Sequence, residues 1–123
     1  MANTRSITQI TNPAEHDVVV SEAESQPTII CLANSVTPVC KAFTKRFEET
    51  AARQTASGVR FCLMEFNNET SMMFKFAINQ LPVVVFTCAG PWSRSVVGAT
   101  QGDLDVGMEQ LLEQAMIEVA VAA

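Results

Sequence analysis

The chain has no C-x-x-C pair, one histidine, no run of lysine or arginine and no long apolar stretch. Each absence removes a class of function. Without C-x-x-C, the usual dithiol exchange site is missing. With one histidine and scattered cysteines, no cluster has zinc-ligand spacing, so neither a metal site nor a cofactor is expected. Without basic runs, and with a formal net charge of −5, neither nucleic acid nor an anionic membrane is an expected partner. No apolar run approaches the ~18–20 residues that span a bilayer. The start, MANTRSITQI, lacks the apolar core of a secretory signal. A soluble, cytoplasmic protein is expected, with Cys31, Cys40, Cys62 and Cys88 outside any disulfide framework.

What is present is ordinary for a globular chain: 123 residues, 48% hydrophobic and 17% charged. That length makes one domain, residues 1–123, with a core that needs no staples. No repeat, low-complexity tract or linker interrupts it. SITQI alternates and predicts a short strand. In NPAEHDVVV, Asn12 caps, Pro13 takes N1 and Glu15 takes N3, so a helix begins. PTIICLA and VRFCLMEF are nearly continuous apolar runs, as in strands covered on both faces. Between them, Thr37 as N-cap and Pro38 at N1 start a helix whose stripe is Val39, Ala42, Phe43, Phe47 and Ala51. NNETSMMFKFA predicts a short helix. LPVVVFTC and SRSVVGA pair as a hairpin around AGPW, and Asp103 caps a final helix carrying Leu104, Met108, Leu111, Leu112, Ala115 and Val119. The order β-α-β-α-β-α-β-β-α predicts a three-layer α/β/α sandwich. Its mixed, mainly parallel sheet ends in a β-hairpin.

This order and its markers resemble the thioredoxin family, over about residues 7–116. The markers are Ala33 and Lys41 beside the loop, Phe76-Ala77-Ile78 before Leu81-Pro82, then Phe86, Gly90 and Val97-Gly98-Ala99. The resemblance implies a thioredoxin fold, a cis Leu81–Pro82 bond facing the loop, and an extended polypeptide gripped by backbone hydrogen bonds beside that proline. It also implies losses. In the loop segment SVTPVCK, one residue longer than the family's on this alignment, Cys40 matches the resolving cysteine. Val36 or Thr37 stands where the attacking cysteine belongs. The family's buried acid falls on Ile30 and its loop tryptophan on Ser35. On this alignment Cys31, next to Ile30 in an alternating strand, points away from Cys40; a one-residue slip would reverse that. The Thr-x-x-Cys-Lys loop also resembles the thioredoxin-like domain of phosducin-like proteins, which bind partners. TPVC resembles the one-cysteine peroxiredoxin loop only locally.

Two functions follow as expectations. One is a redox-degenerate module that binds a protein or peptide through Val36, Pro38, Val39, Leu81, Pro82, Val97 and Gly98. The alternative is a single-thiol oxidoreductase or redox sensor. There Cys40, near the positive end of a helix, is the reactive group and the Thr37 hydroxyl assists it. Burial among apolar neighbours argues for a neutral, structural Cys40. Cys62 reads as core, Cys88 as exposed near the hairpin turn, and His16 as solvated. Met72, Met73, Phe74 and Phe76 read as core with one or two left outside. Trp92 is either docked or a partner contact. The sequence does not set the oligomeric state.

Overall fold

The protein is described by a computed structural model, which describes residues 7–67, 70, 76–89 and 92–122. Five strands, β1 (Ile7–Ile10), β2 (Thr28–Ala33), β3 (Arg60–Glu65), β4 (Val83–Thr87) and β5 (Ser93–Val97), form one sheet in the order β1-β3-β2-β4-β5. β3 lies parallel to β1 and β2, while β4 is antiparallel to β2 and β5. Among the described residues three helices cover it: α1 (Pro13–Glu22), α2 (Pro38–Arg53) and α3 (Gln101–Ala122). The central strand β2 is buried at all six positions, as a strand with a neighbour on each edge and helices on both faces must be. The short helix expected over 67–77 falls mostly outside the described residues, as do Met72, Met73, Phe74 and Gly90. No helix among the described residues is long and apolar enough to cross a membrane.

The local start signals account for the helix boundaries. Asn12 accepts from the Glu15 backbone N–H at 2.9 Å and the Glu15 carboxylate reaches back to the Thr11 N–H at 2.7 Å, which fixes the first turn of α1. The Thr11 backbone N–H first, and the Thr11 hydroxyl second, hold the Glu15 carboxyl below its usual value. α3 starts earlier than expected. Thr100 and Asp103 form the reciprocal cap: the Asp103 N–H donates to Thr100 Oγ1 and the Thr100 N–H donates to Asp103 Oδ2. Asp103 therefore sits at N3 rather than capping, because Thr-x-x-Asp satisfies two N–H groups where Asp alone satisfies one.

Strand alternation assigns the two faces. Ile30, Leu32, Met64, Val83 and Val85 surround one small void with His16 of α1 and Phe76. On the other face Phe61 packs edge-on against Phe47 of α2, with ring centroids 5.6 Å apart. Ile29 pairs with Phe61 and Cys31 with Leu63, so Ile29, Cys31 and Ala33 share the α2 face. Three expectations are corrected here. His16 is half-buried against the sheet rather than solvated. Cys88 is buried, not exposed. The buried stripe of α2 is Cys40, Phe43, Phe47, Thr50 and Ala51, while Val39 and Ala42 face outward; spacing 40-43-47-51 is as helical as 39-43-47-51, and the sheet selects the first. Trp92 is docked, half-buried against the core.

Burial also sets an alkaline limit. It pushes the Cys62 thiol up to about 11, against the lowering pull of the Arg60 guanidinium and the Thr8 hydroxyl. Between pH ~9 and ~11 the unfolded chain loses this proton and the folded chain keeps it, so stability falls as pH rises. The slope reaches at most about 1.4 kcal/mol per pH unit per thiol. Urea unfolding at pH 10 should return a smaller free energy than at pH 8, with a smaller drop in Cys62→Ala.

Candidate functional site

Three chain segments meet at one end of the sheet. β2 runs out at Ala33 and β4 begins at Val83, and the pairing of Leu32 with Val83 brings the loop that follows β2 beside Pro82. The Leu81–Pro82 bond is cis. Gly98, at φ +61°, donates its N–H to the Gln80 carbonyl at 2.8 Å, and Ala99 donates to the Pro82 carbonyl at 2.9 Å. The positive φ is where glycine is cheapest, and it turns the chain from β5 toward α3.

The loop at 34–37 is organised by Asn34. Its Oδ1 accepts from the Val36 and Thr37 N–H groups, both at 2.8 Å, and from the Thr37 hydroxyl at 3.2 Å. Two backbone donors on one oxygen fix which end of the amide is which. Thr37 is at the N-cap of α2 but makes no side-chain capping bond, since its hydroxyl proton goes to Asn34. It therefore does not turn that proton toward Cys40 as expected. Asn34→Leu should lose the loop bonds and cost about 1–3 kcal/mol, read as a lower urea midpoint at unchanged slope.

Around this loop the exposure pattern is uneven. Val36 is 74% and Val39 64% exposed, with Ile78 and Val97 about half exposed. Pro38 and Gly98 are also exposed. Leu81 and Pro82 are buried, so of the expected binding residues these two present little surface. Cys40 has no exposed surface and is not disulfide-bonded. The expectation that Cys31 points away from Cys40 is reversed. Cys31 shares the α2 face and Ile30 faces α1. Burial first, and the neighbouring Cys40 second, push the Cys31 thiol up.

A strand-helix-strand sheet of this order, with a cis proline opposite the start of α2, is a known arrangement. The fold is the thioredoxin fold. Solved thioredoxins superpose over most of the chain. Thioredoxin O2 of Arabidopsis thaliana has a TM-score of 0.69 at 18% identity, covering 87% of this chain and 95% of that one. Spinach chloroplast thioredoxin f gives 0.71 at 20%, covering 85% of each. The Trypanosoma brucei brucei thioredoxin gives 0.71 at 18%, covering 87% and 91%. No protein-family model and no curated relative matches the chain.

Thr37, half-exposed, stands three residues before Cys40, whose sulfur is sealed. A cavity of about 250 Å³ lies beside the loop, between α2 and the ends of β2 and β3, walled in part by Asn34, Lys41, Lys45, Leu63 and Glu65. A cleft of about 410 Å³ lined by Trp92, Arg94 and Gln110 involves the opposite end of β5 and no cysteine. Among the described residues no three metal-ligating side chains come together. Sequence reasoning placed Asn34 at the edge of the binding loop but missed that its side chain shapes that loop, although Asn before a turn is a recognisable Asx signal.

Proposed function

We propose that the chain is a redox-degenerate thioredoxin-like module that binds an extended polypeptide in the groove between loop 34–39, the Pro82 turn and the end of β5. The observation that carries this reading is the exposure of Val36 and Val39 in a place where no sulfur reaches the surface. Exposing two branched apolar side chains at one loop is costly unless something covers them. Exposed valines beside a buried proline suit an extended segment whose side chains alternate between groove and solvent. A structural neighbour, a thioredoxin f2, is found in complex with ferredoxin:thioredoxin reductase, so a fold of this shape docks other proteins. No disulfide joins the four cysteines, which suits the cytoplasm as the compartment.

The test is a methyl NMR titration with a reduced, carboxymethylated, unfolded polypeptide as the probe. The methyls of Val36, Val39, Ile78 and Val97 should shift together and saturate. A Val36→Asp/Val39→Asp double variant should bind at least about tenfold more weakly. Shifts confined to other faces, or unchanged binding by the variant, would rule the groove out. The single-thiol reading at Cys40, with Thr37 assisting, has less support, because a sulfur with no exposed surface does not meet a disulfide on glutathione or another chain and the threonine hydroxyl is committed to Asn34.

A further inference from the structure

Cys31 and Cys40 both lie at the loop end of the layer between β2 and α2. Cys31 lies two residues before β2 ends, and Cys40 two residues after α2 begins. The connecting loop is held short by the bonds to Asn34 Oδ1. Both side chains enter the same layer. The contact between Phe47 and Phe61 fixes which face of the sheet α2 covers, and alternation carries that face from Ile29 through Cys31 to Ala33. Cys40 begins the inward stripe that continues through Phe43 and Phe47. Neither sulfur has exposed surface. The influence of Cys40 on the titration of Cys31 agrees with this placement, which rests on the strand register and the helix stripe.

We propose that Cys31 and Cys40 are a buried dithiol that closes to an intramolecular disulfide under a hydroperoxide, tethering the end of β2 to the start of α2 across the loop. The step is balanced as follows. The Cys40 sulfur attacks one oxygen of hydrogen peroxide, breaking the O–O bond. Cys40 becomes a sulfenic acid and water leaves. The Cys31 sulfur then attacks the Cys40 sulfur and displaces the hydroxyl as a second water. Two thiols lose two electrons and two protons to one peroxide, which becomes two waters. A cavity walled by Ala33 and by Leu63, the in-register partner of Cys31, lies on the same face; neither cysteine lines it, so a molecule as small as hydrogen peroxide must pass between packed side chains to reach them. Because the sulfurs stay covered, the disulfide is a tether within the protein and not an exchange site for other chains. This inference does not depend on what the groove binds.

The test uses the full chain treated with hydrogen peroxide, unfolded, alkylated and digested with trypsin. Cleavage leaves Cys31 and Cys40 together in the peptide spanning 6–41, with Cys62 and Cys88 in two others. The expected product is the 6–41 peptide lighter by two hydrogens and closed to alkylation, restored by dithiothreitol, with Cys62 and Cys88 still alkylated. Cys31→Ser should instead stop at oxygen adducts on Cys40. Oxygen adducts on wild-type Cys40 without ring closure, a bond that includes Cys62 or Cys88, or full alkylation of all four thiols after peroxide would overturn it. The wild-type result decides even if the variant fails to fold.

Discussion

Gly107→Ala is expected to destabilise the fold by about 2 kcal/mol or more, lowering the melting temperature by roughly 10 °C. Gly107 lies in the middle of α3, and a Cβ there would fall well inside contact distance of the Phe86 ring. Phe86 has no exposed surface and sits on β4, between β2 and β5, so the ring has nowhere to go. The helix and sheet must separate instead. Alanine gains about 1 kcal/mol of helix propensity over glycine, which offsets part of the loss but not a clash with a rigid ring. Gly102 in the same helix supplies the control. Its added Cβ would meet only Thr100 Oγ1 at 3.7 Å, so Gly102→Ala should be neutral or slightly stabilising. Thermal melts of the two variants should move in different directions. Two equal shifts would mean that α3 does not approach β4 as described.

The second large effect is a gain. Thr37→Cys should convert the loop to Cys-Pro-Val-Cys and raise dithiothreitol-driven insulin reduction about tenfold or more over wild type. Thr37 is half-exposed while Cys40 is sealed, so the new thiol supplies the accessible attacker and Cys40 the resolver. The variant gives up the Thr37 hydroxyl bond to Asn34, but the Val36 and Thr37 backbone bonds that shape the loop remain. Insulin precipitation followed by turbidity reads the result. A variant no faster than wild type would mean that Cys40 is not behind position 37.

The contrast between these positions shows what was legible in the sequence. The element order was legible because turn and cap signals punctuate it: Asn12 before Pro13, Thr37 before Pro38, Gly58 before β3. The side of the sheet to which each β2 residue points was not. β2 reads TIICLA and is buried on both faces, so no polar residue marks one parity as outside, and a one-residue error in alignment exchanges Ile30 for Cys31. The contact of Phe47 with Phe61 settles the parity, and only tertiary structure supplies it. The same ambiguity applied to α1, where Val18, Val19 and Val20 run consecutively and give no helical direction; Val19 is buried and its neighbours are exposed. On α2 a period of 3.6 admitted either Val39 or Cys40 at the inner edge. That choice matters most for function, since it exposes a valine and hides the thiol.

The Thr-x-x-Asp cap at Thr100 and the Asx turn at Asn34 were readable and went unread, each because a neighbouring residue offered a simpler capping role. Gly107 carried a weaker signal: a glycine inside an otherwise helical pattern points to close packing, but not to which ring lies opposite.

The central claim is that an exchange scaffold persists here without an accessible attacking sulfur. The most direct measurement is insulin reduction by the wild-type chain, supplied with thioredoxin reductase and its reductant. The account predicts turnover no faster than the reaction without the chain. Sustained, enzyme-dependent turnover would contradict it.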